Sequence, residues 1–309
     1  MQNAVGKERL MRNDRFRLSS DPEYGFIHLD PLPTPEELAR FYRECYYELV
    51  AGGERFPEAA RRQAGGEAME LEKRWNRATL FADIRDLLAG RVAGKRVLEI
   101  GSGFGDLLAY LRENGFECVG IEPAAVARAE AIKQGCSVFF GTFEEFLAQS
   151  PVPTGFDACL LLNVLEHVPD PRMILRRVRE LLAAGGSILV WVPNDFSELQ
   201  EAARRKIGGD PWWVAIPDHI NYFSFSSLEA LLVGEGFRVR HRQGDFPMEM
   251  FLLMGEDYVH DRSRGAACHR RRIELEMALP TDLRRRWGQA LAEAGIGRNA
   301  LIVAEKTAE

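Results

Sequence analysis

Residues 97–106 read Val97-Leu98-Glu99-Ile100-Gly101-Ser102-Gly103-Phe104-Gly105-Asp106, and this stretch decides the fold. Apolar residues surround an acid, three alternating glycines follow, and residues 107–111 continue at helical spacing. The order predicts a buried strand, a turn with accessible backbone and the first turn of a helix. In an α/β sheet, that place binds a nucleotide-like ligand.

Strands and helices alternate on both sides of this stretch. Gly185 and Gly186 are expected to end the last helix of the series. The predicted strands are 96–100, 118–121, 137–140, 156–162, 187–192, 237–240 and 300–304, with helices at 105–113, 124–133 and 171–182. The alternation predicts an α/β fold with a doubly wound, seven-stranded and mostly parallel sheet.

The chain is predicted to have two parts. Residues 1–90 form an N-terminal segment and helical cap, and residues 91–309 form the ligand-binding domain, with helical insertions at about 195–218 and 244–298. The polar residues 1–30 are expected to be poorly ordered or draped over the surface. A capping box of Thr34 and Glu37 predicts the start of a helix that ends at Gly52-Gly53, and a charged helix with Trp75 follows. We expect this cap to cover one side of the ligand pocket.

Composition limits the classes of function. A net charge of −6 over 309 residues gives no general attraction for nucleic acid. The cysteines form no C-x-x-C pair, so we expect reduced thiols in a cytoplasmic protein, with no disulfide and no metal site. They are Cys45, Cys118, Cys136, Cys159 and Cys268. No apolar run is long enough to predict a membrane span.

The glycine turn distinguishes between two classes of nucleotide. The dinucleotide pattern G-x-G-x-x-G fails because Asp106 stands at its third glycine. The order E-x-G-x-G-x-G instead resembles the first motif of class I S-adenosylmethionine (SAM) dependent methyltransferases. The resemblance implies that the turn holds the methionine part of SAM and that an acid receives its ammonium, directly or through water. The residues concerned are Glu99, Gly101, Ser102, Gly103 and Gly105.

Two further segments extend the predicted cofactor site. Glu122, followed by Pro123, ends the second strand, and its carboxylate could accept hydrogen bonds from both ribose hydroxyls of SAM or of NAD. Thr142 and Phe143 follow the third strand, where this family usually contacts adenine. Many members carry an acid at the position of Thr142, so the hydroxyl or the N–H of Phe143 would have to replace it. A simple helix cap is the alternative.

The segment after the fourth strand resembles the fourth motif of small-molecule methyltransferases, including ubiquinone-pathway O-methyltransferases and sugar methyltransferases. It reads Asn163-Val164-Leu165-Glu166-His167 and leads to a helix that begins with proline. Asn163 and Val164 are expected beside the cofactor. His167 is the candidate general base, and Glu166 would orient its ring or hold the substrate. A histidine that only caps the loop is the alternative.

A second group of candidate residues lies at 211–224. His219 and Tyr222 are candidate proton carriers or substrate ligands. Trp212-Trp213 suggest a lid or an apolar wall that excludes water, and packing in the core is the alternative. Arg298 is a weaker candidate for binding an anionic part of the substrate.

These observations predict an enzyme that transfers a methyl group from SAM to a small molecule and releases S-adenosylhomocysteine. The expected acceptor is a sugar, a nucleotide-sugar or a phenolic hydroxyl, with no nucleic-acid or membrane partner. The alternatives are a methyltransferase acting on RNA or protein, an NAD-dependent dehydrogenase and a non-catalytic SAM-binding protein. The sequence leaves the acceptor atom and the oligomeric state open.

Overall fold

The computed structural model describes residues 15–34, 36–38 and 66–308. Ten strands are present in this part of the chain: β1 (Arg17–Ser20), β2 (Ile27–Asp30), β3 (Arg96–Ile100), β4 (Glu117–Glu122), β5 (Ser137–Phe140), β6 (Phe156–Leu162), β7 (Leu182–Pro193), β8 (Asn221–Tyr222), β9 (Phe237–Gly244) and β10 (Asn299–Lys306). The numbered helices of the same part are α1 (Gly66–Ala78), α2 (Leu80–Ala89), α3 (Asp106–Glu113), α4 (Ala125–Lys133), α5 (Phe143–Leu147), α6 (Pro171–Leu181), α7 (Glu198–Ile207), α8 (Phe225–Gly234), α9 (Glu249–Leu253), α10 (Arg262–Ala278) and α11 (Thr281–Glu293).

Seven strands form the main sheet in the order β5-β4-β3-β6-β7-β10-β9. The pairs among β5, β4, β3, β6 and β7 are parallel, whereas β10 runs antiparallel to both β7 and β9. The predicted fold class is therefore confirmed. Because parallel strands end at the same edge, the loops after β3, β4, β6 and β7 all emerge on one side of the sheet.

Apolar runs in the central strands explain why the sheet is buried on both faces. Ala158, Cys159, Leu160 and Leu161 of β6 are all fully buried, so alternate residues point to opposite cores. One core lies under α6 and α8, and the other lies under α2 and α3. The strand ends, and with them the candidate site, are thus held by packing on two sides.

The glycine pair after α6 does not end that helix, contrary to the sequence prediction. The helix ends at Leu181, and Gly185 and Gly186 lie inside β7. The register against β6 shifts here, since Phe156 pairs with Leu182 but Ala158 pairs with Ser187. Gly185 has a φ of 70°, which favours glycine. The pair therefore forms an irregularity in the strand.

The N-terminal segment contributes a small sheet that the sequence did not reveal. Strands β1 and β2 form an antiparallel hairpin, and β2 also pairs with β8. Leu29 is fully buried, and its N–H donates to the carbonyl of Ile220 at 2.9 Å. The expectation of a poorly ordered segment is thus wrong for residues 17–30, which are fixed to the loop before β8.

The described helices of the predicted cap contact the second insertion. The predicted charged helix is divided at Thr79 into α1 and α2. Trp75 of α1 donates from Nε1 to Glu276 of α10 at 2.7 Å, and Asp83 of α2 accepts from Arg284 of α11 at 2.6 Å. The capping box of Thr34 and Glu37 is present, whereas the rest of that helix and Gly52-Gly53 lie outside the described residues.

Two further sequence expectations concern thiols and membrane spans. Four of the five cysteines are described, and all four are free thiols, while Cys45 lies outside that part. Among the described helices, none combines the length and apolar character that crossing a bilayer requires.

Candidate active site

The glycine turn between β3 and α3 has the backbone conformation that its sequence predicts. Gly101, Gly103 and Gly105 all have positive φ, at 71°, 52° and 77°. Gly105 is the residue immediately before α3, and a Cβ there would lie 2.7 Å from the Cβ of Ala131. A side chain at this position would therefore strain the backbone and collide with α4.

Two buried polar atoms beside the turn have no hydrogen-bond partner among the residues that the structure describes. They are Oε2 of Glu99 and Oγ of Ser102, in side chains that are 4% and 7% exposed. Burial, with smaller contributions from the carboxylates of Asp106 and Glu122, raises the pKa of Glu99 well above its usual value. A buried acid without a partner is costly, so a cationic ligand group beside Glu99 would stabilise its ionised form.

Glu122 is held by the backbone on both sides of its strand end. Its Oε2 accepts from the N–H of Gly103 at 2.8 Å, and its Oε1 accepts from the N–H of Ala124 at 2.8 Å. Burial raises its pKa, although these two hydrogen bonds oppose that effect. Each carboxylate oxygen has a second lone pair, so the acid can still accept from a ligand hydroxyl. Pro123, between the acid and Ala124, is exposed.

The segment after β5 is used in helix capping. The hydroxyl of Thr142 accepts from the N–H of Glu145 at 3.3 Å, and the carboxylate of Glu145 accepts from the N–H of Thr142 at 2.7 Å. This capping box fixes the start of α5 and uses the Thr142 hydroxyl as an acceptor, so its O–H and the N–H of Phe143 both stay candidates for a contact with adenine.

Asn163 and Val164 begin the turn after β6. Asn163 has a φ of 53°, which is uncommon for a residue other than glycine, and its N–H donates to Trp191 of β7 at 2.8 Å. Val164 lies next to the glycine turn, since its Cγ2 is 3.0 Å from where a Cβ on Gly101 would stand. The turns after β3 and β6 therefore adjoin.

The turn that carries His167 is joined to the segment that carries His219. The side-chain amide of Asn221 donates to the carbonyls of Leu165 and Val168 at 2.9 and 2.7 Å. The N–H of Ile220 donates to the carbonyl of Glu166 at 2.7 Å. These contacts bring together two histidines that are 52 positions apart, with ring centroids 4.9 Å from each other.

Asp218 fixes the ring of His167. Nδ1 of His167 lies 2.9 Å from the carbonyl oxygen of Asp218 and 3.3 Å from its carboxylate. A carbonyl can only accept, so Nδ1 carries the proton and Nε2 is the basic nitrogen of the neutral ring. Burial alone would lower the pKa of His167, but Asp218 and Glu166 outweigh it and raise the pKa to about 9.

Glu166 completes a cluster with the two histidines. It is 2% exposed, burial raises its pKa to about 7, and its Oε1 lies 3.9 Å from Nε2 of His167. One donor atom from each of Glu166, His167 and His219 lies within 4.8 Å of the other two, a spacing at which a metal ion could bind. The sequence did not predict a metal here.

Tyr222 and Arg298 have partners within the protein. Tyr222 is 1% exposed, and its hydroxyl accepts from the N–H of Ala215 at 3.1 Å. Arg298 lies 3.3 Å from the carboxylate of Glu249, so its charge is already paired. Both contacts stabilise the walls around the site.

A cavity of about 940 Å³ opens beside these turns. Its walls come from the ends of β6 and β7, the described helices of the cap and both insertions. They include the aromatic residues Trp75, Phe81, Trp191, Trp212, Trp213, Phe246, Tyr258 and Trp287. Asn163, Glu166 and His219 also line it. Asp106, which directly follows the glycine turn, is a lining residue as well.

Two acids of this region were not singled out from the sequence. They are Asp195, two residues after the end of β7, and Asp218, directly before His219. The position of Asp195 behind a strand end was a signal that could have revealed it, because such loops carry the site in α/β folds. Asp218 has no comparable signal, since its contact with His167 depends on the fold.

Comparison with known proteins identifies the family. Residues 73–242, more than half of the chain, match the family described as a methyltransferase domain. The chain belongs to the class I SAM-dependent methyltransferases. The ubiquinone biosynthesis O-methyltransferase of Pseudomonas aeruginosa is 32% identical over 133 residues, and that of Aeromonas salmonicida is 36% identical over 112 residues. These matches cover 39% and 34% of this chain and 57% and 46% of those relatives, so the chain spans about half of their length.

A solved SAM-dependent methyltransferase from Archaeoglobus fulgidus is also similar. It has a TM-score of 0.47 and 20% identity, and the match covers 78% of this chain and all of that one. Membership of this family makes SAM the cofactor. The unpartnered oxygen of Glu99 fits the ammonium of such a ligand, and Glu122 fits its ribose.

Proposed function

We propose that this methyltransferase methylates a hydroxyl group of a small molecule bound in the 940 Å³ cavity. The observation that carries the proposal is that this cavity with aromatic walls is lined by Asp106 next to the glycine turn and by Glu166 and His219 of the histidine cluster. Its size is that of a typical small-molecule site. The similarity to enzymes named as O-methyltransferases of ubiquinone biosynthesis supports the same choice.

The residues proposed to hold SAM surround the turns after β3, β4, β5 and β6. They are Glu99, Gly101, Ser102, Gly103, Gly105, Glu122, Pro123, Phe143, Asn163 and Val164, with Thr142 fixing the last turn of this wall. When bound, SAM supplies a methyl group on a sulfonium that is open to in-line attack. The rigid turns hold the two reactants in line, and such alignment can contribute effective molarities of about 10⁵–10⁸ M.

His167 is the proposed general base. Because Asp218 holds its Nδ1, Nε2 is the atom that takes the proton from the acceptor hydroxyl. Asp218 also stabilises the imidazolium that results. His219, whose ring edge packs against His167 at the cavity wall, is the proposed second proton carrier or substrate ligand. Glu166 orients the pair, and Tyr222 supports the loop before β8 through Ala215.

The test is methyl transfer from isotopically labelled SAM to a panel of phenols, sugars and nucleotide-sugars. Labelled product together with S-adenosylhomocysteine would support the proposal. SAM binding with methyl transfer only to RNA or protein would replace it with the macromolecular alternative. SAM binding without transfer to any acceptor class would favour the non-catalytic alternative.

A further inference from the structure

Acidic side chains outnumber basic ones in the described lining of the cavity. Seven carboxylates line it: Asp83, Asp106, Glu166, Asp195, Asp218, Asp245 and Glu276. Three guanidiniums line it, those of Arg272, Arg284 and Arg298, and no lysine is among the described lining residues. The charges of the wall therefore favour a neutral or cationic occupant over an anionic one.

The three arginines are also neutralised by neighbours. Arg272 lies 2.5 Å from Asp245 and 3.2 Å from Glu276. Arg284 lies 2.6 Å from Asp83. With Arg298 bound to Glu249 as described above, each guanidinium has a carboxylate partner. An anionic substrate group would have to displace one of these buried partners, which is unfavourable.

Two of the acids have no arginine or lysine partner within the described part of the chain, although Glu166 lies 3.9 Å from His167. Asp195 is 3% exposed, and within the described residues its carboxylate contacts only the amide of Gln200, at 3.3 Å. Oε2 of Glu166 is buried without a hydrogen bond, while Oε1 faces His167. Neither acid lies within 4 Å of a described arginine or lysine. Asp195 follows β7 and Glu166 follows β6, so both emerge at the same edge of neighbouring strands.

Tryptophan rings and one unused donor complete this part of the wall. Trp191, Trp212 and Trp213 line the cavity, and the last two meet edge to face at 4.8 Å. Nε1 of Trp213 is buried, and no described residue accepts a hydrogen bond from it. Indole faces attract cations, and an indole N–H can donate to a substrate oxygen.

We propose that the acceptor molecule carries a protonated amino group in addition to its hydroxyl, and that Asp195 and Glu166 bind this group beside the tryptophan rings. The proposal rests on the hydroxyl methylation proposed above and names its substrate class. The amino group serves for recognition and keeps its protons, and the methyl group goes to the hydroxyl. Burial raises the pKa of Asp195 to about 7, and the charge of Arg298 and the hydrogen bond of Gln200 offset this effect only in part.

The test uses three phenols that differ in charge: tyramine as the cation, 4-ethylphenol as the neutral form and 4-hydroxyphenylacetate as the anion. Their binding is measured by calorimetry at pH 8 with saturating S-adenosylhomocysteine. We expect tyramine to bind at least tenfold more tightly than 4-ethylphenol, and the anion to bind most weakly. Equal or reversed affinities, or no binding of tyramine at 10 mM, would overturn the proposal.

A pair of variants locates the effect. Asp195→Asn should reduce the preference for tyramine over 4-ethylphenol at least fivefold, whereas Asp282→Asn, in an exposed aspartate of α11, should leave it unchanged. The thermal midpoint and the affinity for S-adenosylhomocysteine serve as checks on folding. A preference that survives in Asp195→Asn would also overturn the proposal. Methylation of 4-ethylphenol without any tyramine preference would leave the proposed hydroxyl methylation intact and remove only this inference.

Discussion

The carbonyl oxygen of Asp218 lies 2.9 Å from Nδ1 of His167, and the carboxylate of the same residue lies 3.3 Å from that nitrogen. Asp218 therefore determines the tautomer of the ring through its backbone and, together with Glu166, favours the charged ring through its side chain. This arrangement has a direct consequence for the pH dependence of catalysis.

The turnover number should rise with pH and level off above about pH 9. The proposed base works only when His167 is neutral, and its pKa is raised from the usual 6.5 to about 9. Asp218→Asn should shift this rise to lower pH, because it removes a negative charge that stabilises the imidazolium. The measurement is kcat from pH 6 to 10 at saturating SAM. A rise that stays at the same pH in the variant would contradict this role of Asp218.

Replacing each histidine should separate their roles. His167→Asn should lower kcat by about 10²–10⁴-fold, the usual contribution of a general base, with the affinity for SAM nearly unchanged. His219→Asn should have a smaller effect on kcat and a larger effect on the KM of the acceptor, because His219 lines the cavity. Equal loss of SAM affinity in the His167 variant would instead indicate a structural role.

Glu99→Gln should weaken SAM binding by tenfold or more. A charge-assisted hydrogen bond contributes about 1.5–3 kcal/mol, and Glu99 is the buried acid proposed to receive the ammonium. Because the pKa of free Glu99 is raised, the wild-type affinity should also increase as the pH rises above the usual range of a carboxylate, and this increase should vanish in the variant. Glu117→Gln, at an exposed position at the start of β4, is the control in calorimetric titrations.

Two glycines with nearly the same φ allow steric and conformational effects to be separated. Gly105 has a φ of 77°, and a Cβ there would lie 2.7 Å from Ala131. Gly25 has a φ of 74°, but a Cβ there would have no described atom within 4 Å. Both Gly→Ala variants should have an unfolding free energy lower by about 1–2 kcal/mol, because alanine is unfavourable in the left-handed backbone conformation. Gly105→Ala should lose on the order of 1–3 kcal/mol more through the collision. Urea unfolding measures both, and equal losses would mean that α4 moves freely.

Asp195→Asn should stabilise the free protein more at pH 8 than at pH 5. The pKa of Asp195 rises from 3.8 to about 7 on folding, so the folded protein binds this proton more tightly than the unfolded chain does. Its contribution to stability therefore falls as the pH rises from about 4 to 7. The gain at pH 8 should exceed the gain at pH 5 by on the order of 1–3 kcal/mol. The control Asp282→Asn should show no such difference between the two pH values in thermal unfolding.

The sequence predicted the main sheet because each of its strands carries a strong local signal. Buried strands such as β6 are apolar throughout, and the glycine turn has a fixed spacing. The small sheet was missed for the opposite reason. Strand β2 is short, and its partner β8 lies more than 190 positions later, so no local pattern reveals the pairing. Gly185-Gly186 misled the prediction, because a glycine pair is typical of a helix end as well as of an irregular strand.

The candidate site was predictable only where a residue lies next to a motif. Glu122, Glu166 and His167 stand at strand ends, and the structure does place them around one edge of the sheet. The approach of His219 to His167 depends on hydrogen bonds of Asn221 across the fold, and the ion pairs of Arg272 depend on the packing of α10. Such contacts join residues that are far apart in the chain, so the spacing of residues in the sequence does not predict them.

The hairpin of β1 and β2 has a practical consequence for anyone who shortens this protein. Family similarity begins only at residue 73, so a boundary chosen by homology would remove the hairpin. Its removal would break the hydrogen bond from the N–H of Leu29 to the carbonyl of Ile220. Ile220 is the residue whose own N–H donates to the carbonyl of Glu166. A trimmed enzyme could therefore retain its nucleotide-binding half and yet lose the scaffold beneath its histidines. The hairpin thus supports the loop that carries His219.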